Sequence, residues 1–186
     1  MVSISPLKKR RRPDASAPTG GRRHSLATPD IVFARIDNRL VHGQVGAAWV
    51  GSIPNCNLIV VANDDAAADP MQQSLMKLTA DSARVGIRFF TIQKTIDVIG
   101  KASARQHIFI VAKTPADMRK LVEGGVPIKE VNIGNMHASA DKRVFHDQHV
   151  YVDDQDLADL KAIQDHGTKV YIQLLPTGRK VEDLGL

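Results

Sequence analysis

Two arginines, a carboxylate and a histidine stand close together in the run Arg35-Ile36-Asp37-Asn38-Arg39-Leu40-Val41-His42-Gly43-Gln44-Val45. These residue types suit phosphoryl chemistry. A neutral imidazole is a good nucleophile near neutral pH, and its phosphoramidate keeps a high transfer potential. Guanidinium groups present paired, planar donors to phosphate oxygens. A helix is expected over Gln44–Val50. Its start offers unpaired N–H groups at Gly43 and Gln44 and a positive dipole end, both favourable to an anion. Gly43 also lets the backbone turn tightly beside a ligand. The types alone leave a plainer account open: Arg35 and Arg39 as ion-pair partners of Asp37, and His42 as a surface histidine.

This loop follows the first of several short apolar runs, Ile31–Ile36, Leu58–Ala62, Ile87–Ile92, His107–Ala112, Glu130–Ile133 and Val170–Leu174. Amphipathic stretches at Pro70–Ala83, Thr95–Ala104, Pro115–Glu123 and Asp154–His166 separate most of them. Strands alternating with helices of this length imply βαβ units. The expected fold is α/β, an open, mostly parallel sheet with helices on both faces. Residues 143–152 alternate in character and are expected to add a strand or hairpin. Asp69-Pro70 and Thr114-Pro115 each place a capping side chain before a helix-opening proline. Ligands of such sheets gather at the carboxyl ends of strands, which directs attention to the loops at 35–46, 62–69 and 134–137.

The chain has 186 residues and a formal net charge of +5, and the charge is unevenly placed. Residues 1–29 hold seven Lys/Arg and one acid, leaving 18 basic and 19 acidic residues in the rest. The segment 1–29 is rich in Pro, Ser, Ala, Gly and Arg without apolar periodicity, so it reads as a disordered basic tail ahead of a domain at 30–186. The run Lys8–Arg12 suits a nucleic-acid or membrane-surface patch, or simply a solvated extension. The near-neutral domain gives no electrostatic reason to expect nucleic acid as a partner. No stretch is apolar for the roughly 20 residues a bilayer span requires. Cys56 is the single cysteine, so no intramolecular disulfide is possible.

The eleven-residue run at 35–45, with Trp49 after it, resembles the active-site signature of the IIB components of the mannose/fructose/sorbose phosphotransferase family. Collinear similarities follow at Val61-Ala62-Asn63-Asp64, Asp69–Leu78, Lys113-Thr114-Pro115, Gly124-Gly125-Val126-Pro127 and Val131-Asn132-Ile133-Gly134-Asn135-Met136. They extend the resemblance over about residues 30–184. Asn135, where many members have a second glycine, together with Gln72-Gln73 and Lys113–Asp117, is more similar to N-acetylgalactosamine or galactosamine systems than to mannose ones.

The resemblance implies a cytoplasmic phosphohistidine carrier, associated peripherally with the membrane through partner components. His42 would take a phosphoryl group from a IIA component and pass it to a sugar entering through IIC and IID. It implies that Arg39 engages the phosphoryl group and that Asp37 holds the loop. Arg35 either contacts phosphate or braces the loop. Any base for the sugar hydroxyl is expected on the membrane partner. No cofactor or metal is expected: His137, His146 and His149 lack the cysteine partners of a structural zinc site. Two rival classes are a nucleotide-binding module, for which no G-x-G-x-x-G follows the first strand, and a regulatory protein that has kept the fold without transfer.

Overall fold

The computed structural model describes residues 28–186; the basic run at 8–12 and most of the expected tail lie outside them. The chain order is β1 (Asp30–Asp37), α1 (Gly43–Ser52), β2 (Leu58–Ala62), α2 (Asp64–Ala68), α3 (Pro70–Ser82), β3 (Gly86–Phe90), α4 (Ile92–Ile99), β4 (His107–Ala112), α5 (Pro115–Glu123), β5 (Glu130–Asn135), β6 (Arg143–Phe145), β7 (Asp147–Val152), α6 (Asp154–Asp165) and β8 (Lys169–Ile172). Six strands form one parallel sheet in the order β3-β2-β4-β1-β5-β8. The expected open α/β sheet is what the chain builds.

The central strands β2 (LIVVA) and β4 (HIFIVA) are almost wholly buried, as strands covered on both faces must be. One face packs Trp49 and Val50 of α1 and Met76 and Ala80 of α3 against Ile59, Val61, Phe109 and Val111. The other packs side chains of α4, α5 and α6 against Ile36, Ile110, Ile133 and their neighbours. The chain leaves β1 for one face and leaves β4 and β5 for elements on the other. The carboxyl end of β1 is therefore a topological switch point, where loops part and a crevice opens.

The extra element expected over 143–152 is the antiparallel hairpin β6–β7, turned at His146 with φ 58°. Met136 N–H donates to His149 O at 2.9 Å and Tyr151 N–H donates to Met136 O at 3.1 Å, which moors β7 beyond the end of β5.

Boundaries differ from the sequence expectation at several places. The helix expected at Thr95–Ala104 is α4 at Ile92–Ile99. Thr91 caps it by accepting the Lys94 N–H at 3.0 Å, so the apolar run from Ile87 ends in a helix start rather than in strand. The loop after β2 contains a short helix, α2, capped by Asn63, which accepts the Ala66 N–H at 3.0 Å. The last strand stops at Ile172, because the carbonyls of Gln173 and Leu174 are turned toward side chains of β1 and α1.

Candidate active site

Arg35 is the foundation of the site. It is 2% exposed, and its guanidinium is almost fully engaged. Nε and Nη2 donate to Asp37 Oδ2 at 3.2 and 3.0 Å. Nη1 donates to Asn132 Oδ1 and to Gln173 O, and Nη2 reaches Leu174 O. The group lies 5.2 Å from the Trp49 ring centroid, and Trp49 Nε1–H donates to Leu174 O at 3.0 Å. Burial pulls the Arg35 pKa below its usual value, and the Asp37 charge opposes that fall. Room for the guanidinium comes from Gly134: a Cβ there would stand 1.8 Å from Arg35 Cζ. Arg35 thus joins β1, β5, the segment after β8 and α1, and it points away from solvent.

Asp37 carries that order into the loop. Its Oδ1 accepts the Arg39 N–H at 3.0 Å, and its carbonyl accepts the Leu40 N–H at 2.9 Å. The turn forces Leu40 to φ 57°, a conformation that costs a residue with a side chain about 1 kcal/mol. Burial of the Leu40 side chain in the α1/α3 core holds it there. Asn38 ties the loop sideways: its N–H donates to Asn135 O at 3.0 Å and its Oδ1 accepts the His137 N–H at 2.5 Å.

The loop then delivers His42 to the N-cap position of α1, with extended backbone angles and no side-chain capping bond. Its exposed imidazole is therefore not consumed by the helix start. Gly43 follows at φ 49°, a left-handed conformation that favours glycine, with nothing within 4 Å of an added Cβ. The Gly46 N–H makes a backbone bond to His42 O at 3.2 Å, and the earlier N–H groups of Gly43 and Gln44 belong to the unpaired set of a helix start. The Gln44 side chain lies outside the described atoms.

Arg39 is exposed, and its Nε donates to His137 Nε2 at 3.3 Å. Asp37, Arg39, Leu40 and His42 line a cleft of about 280 Å³ with Asn135 and His149, closed on one side by Leu174 and Leu175. Such a cleft can hold a phosphoryl group between a nucleophilic imidazole, a mobile cation and a helix N-terminus.

The sequence-selected residues separate into two layers. Arg39 and His42, the N-cap of α1, line the cleft, whereas Arg35 and most of Asp37 lie beneath it. Sequence reading gave no site role to Asn38, Asn132, Asn135 or His149, which come from the loop after β1, from β5 and from β7. Asn38 sits inside the motif and was open to detection; Asn135 was marked only as a departure from a second glycine and His149 only as a rejected metal ligand, and nothing local marks Asn132. Asn63 and Asp64 serve the scaffold, Asn63 as the cap of α2 and Asp64 Oδ1 as acceptor of the Ile92 N–H at 2.8 Å. His146 Nε2 lies 3.1 Å from Leu184 O, on the hairpin turn. Among the described residues no three of His, Cys, Asp or Glu cluster as metal ligands, and no helix is long and apolar enough to cross a membrane.

Comparison with known proteins places this geometry in a lineage. The chain is 53% identical over 155 residues to the N-acetylgalactosamine-specific phosphotransferase enzyme IIB component 1 of Escherichia coli, covering 83% of this chain and 97% of that protein. The crystal structure of the Escherichia coli N-acetylgalactosamine-specific IIB component 1 superposes with a TM-score of 0.79, covering 82% of this chain and 99% of that one. An N-acetylgalactosamine IIB component from Streptococcus pyogenes superposes at 0.76 with 44% identity, covering 83% and 95%. The family model described as phosphotransferase system sorbose subfamily IIB component matches residues 31–184, from β1 through the His42 loop to beyond β8. With fold, loop and alignment in agreement over that span, the chain belongs to the sorbose-subfamily IIB components of the sugar phosphotransferase system.

Proposed function

We propose that residues 30–186 are a phosphohistidine carrier that takes a phosphoryl group from a IIA component on His42. It then passes the group to N-acetylgalactosamine or galactosamine entering through IIC and IID at the inner face of the membrane. The observation that carries this reading is the exposed His42 imidazole, free of capping duty, at the start of α1 and in one cleft with Arg39.

The mechanism follows from that arrangement. Neutral His42 attacks the phosphorus of the donor phosphohistidine in line. The N–H groups of Gly43 and Gln44 and the guanidinium of Arg39 stabilise the equatorial oxygens. Arg39 leaves His137 to do so, exchanging one long hydrogen bond to an uncharged ring nitrogen for bonds to anionic phosphate oxygens. Asp37 supports Arg39 through its backbone N–H and takes no proton, since both its oxygens are occupied. Arg35 acts from below by fixing Asp37.

Arg39→Ala should slow phosphorylation of His42 by about 10²–10³, the usual effect of losing one preorganised charged donor. Rapid-quench labelling with radioactive phosphoenolpyruvate and the general phosphotransferase proteins measures it. A near-wild-type rate would assign stabilisation to the backbone donors alone.

The sugar is tested in vesicles bearing the IIC and IID components. Labelled protein should lose its phosphoryl group to N-acetylgalactosamine or galactosamine in preference to mannose; a preference for mannose overturns the sugar assignment. The same run with residues 1–29 removed should label equally from soluble IIA, and a loss of labelling would move the domain boundary upstream.

A further inference from the structure

Transfer from a phosphohistidine to a hydroxyl leaves one proton to place, and most acceptors around the cleft are already engaged. Asp37 is 4% exposed; its Oδ2 accepts two N–H groups of Arg35 and its Oδ1 accepts the Arg39 N–H. His137 Nε2 accepts from Arg39 Nε in the unphosphorylated chain, and His137 lies outside the residues that line the cleft. His42 itself carries the phosphoryl group at that stage.

His149 is different. It lines the same cleft as His42, half-buried, and its Nδ1 stands 2.9 Å from Asp147 Oδ1, which also accepts the His149 backbone N–H at 2.8 Å. A proton on Nδ1, donated to the carboxylate, leaves Nε2 as the lone-pair nitrogen. Among the described residues no hydrogen bond occupies that nitrogen. Desolvation raises the pKa of Asp147, but the N–H groups of His149 more than offset it and hold the carboxyl below its ordinary range. An ionised Asp147 fixes the ring orientation and stabilises an imidazolium if one forms. The mooring of β7 to Met136 sets this pair beside the end of β5.

We propose that His149, oriented by Asp147, takes the proton of the acceptor hydroxyl in the second transfer. This rests on the reading of His42 as the phosphoryl carrier. In the step, the hydroxyl oxygen bonds to phosphorus and the P–N bond of phospho-His42 breaks. Its electron pair returns to the His42 ring, and the hydroxyl proton passes to His149 Nε2. The resulting imidazolium, paired with Asp147, afterwards gives its proton to water. The first transfer needs no such acceptor, because one imidazole replaces another and each keeps its remaining N–H. That asymmetry separates a catalytic role from a structural one.

Two rates are compared in single turnover: labelling of the chain by phosphorylated IIA, and loss of label to sugar in vesicles bearing the membrane components. In His149→Gln the second rate should fall about 10²-fold relative to the first, the lower range for loss of a positioned acid–base group. Asp147→Asn keeps the size of the side chain and should lower the same ratio by less, which preserves the test if the glutamine variant folds poorly. Equal losses in both rates show that the pair only shapes the hairpin, and two unchanged rates place the proton acceptor on the membrane partner; either result overturns the proposal. A wild-type chain that fails to label overturns the carrier reading instead, and this proposal with it.

Discussion

Arg35→Ala should destabilise the fold by about 3–5 kcal/mol, the loss found when one partner of a buried ion pair is removed and the other left charged. The reason is the number of groups that rely on this guanidinium. Asp37 is 4% exposed, and its Oδ2 would lose both of its hydrogen-bond donors with the guanidinium gone. Asn132 Oδ1 would lose its donor in the same change, while the carbonyls of Gln173 and Leu174 would each keep one, from Asn132 Nδ2 and Trp49 Nε1. Water cannot enter freely, because Trp49 lies stacked on Phe33, with ring centroids 4.6 Å apart, on one flank. Gly134→Ala should fail similarly, since its Cβ would occupy the guanidinium's position. Urea titration followed by tryptophan fluorescence measures both, with Trp49 the sole tryptophan. A loss below about 1 kcal/mol for Arg35→Ala would mean that Asp37 finds other partners, and that the loop does not depend on this pair.

That result bears on how much of the site could be read from residue types. Arg35, Asp37, Arg39 and His42 were all visible as a group, and the parallel sheet followed from apolar runs spaced by helices. What the run could not show was depth. Alternation along β1 places Arg35 and Asp37 on one face, but only the crossing of β5 and the turn after β8 puts Asn132, Gln173 and Leu174 around them. An arginine near a probable phosphate site invites the reading of a phosphate ligand, and here tertiary contacts claim nearly all of its donors.

His149 illustrates a second limit. In the sequence it is one of several scattered polar histidines, and a histidine without local partners is most often just that. Its place in the cleft depends on the hairpin, which the alternation over 143–152 signals, and on the hydrogen bonds between β7 and Met136, which have no short-range signal. The boundary errors have a related cause. Ile92 extends an apolar run in composition, yet Thr91 before it is a capping residue, and burial of Ile92 is equally served by the first turn of α4. Propensity and periodicity locate an element more securely than they locate its end.

The central claim is that one imidazole, His42, carries the phosphoryl group. The most direct measurement incubates the wild-type chain and His42→Ala with radioactive phosphoenolpyruvate, the general phosphotransferase proteins and a IIA component, and follows label on the chain. The wild-type protein should take up one phosphoryl group, labile to acid and stable to alkali, as a phosphoramidate is. His42→Ala should take up none while keeping the wild-type unfolding free energy within about 0.5 kcal/mol, because the substituted side chain is exposed and makes no capping bond. Label on the His42→Ala protein at the wild-type level would contradict the account, and would assign the phosphoryl group to another of the seven histidines.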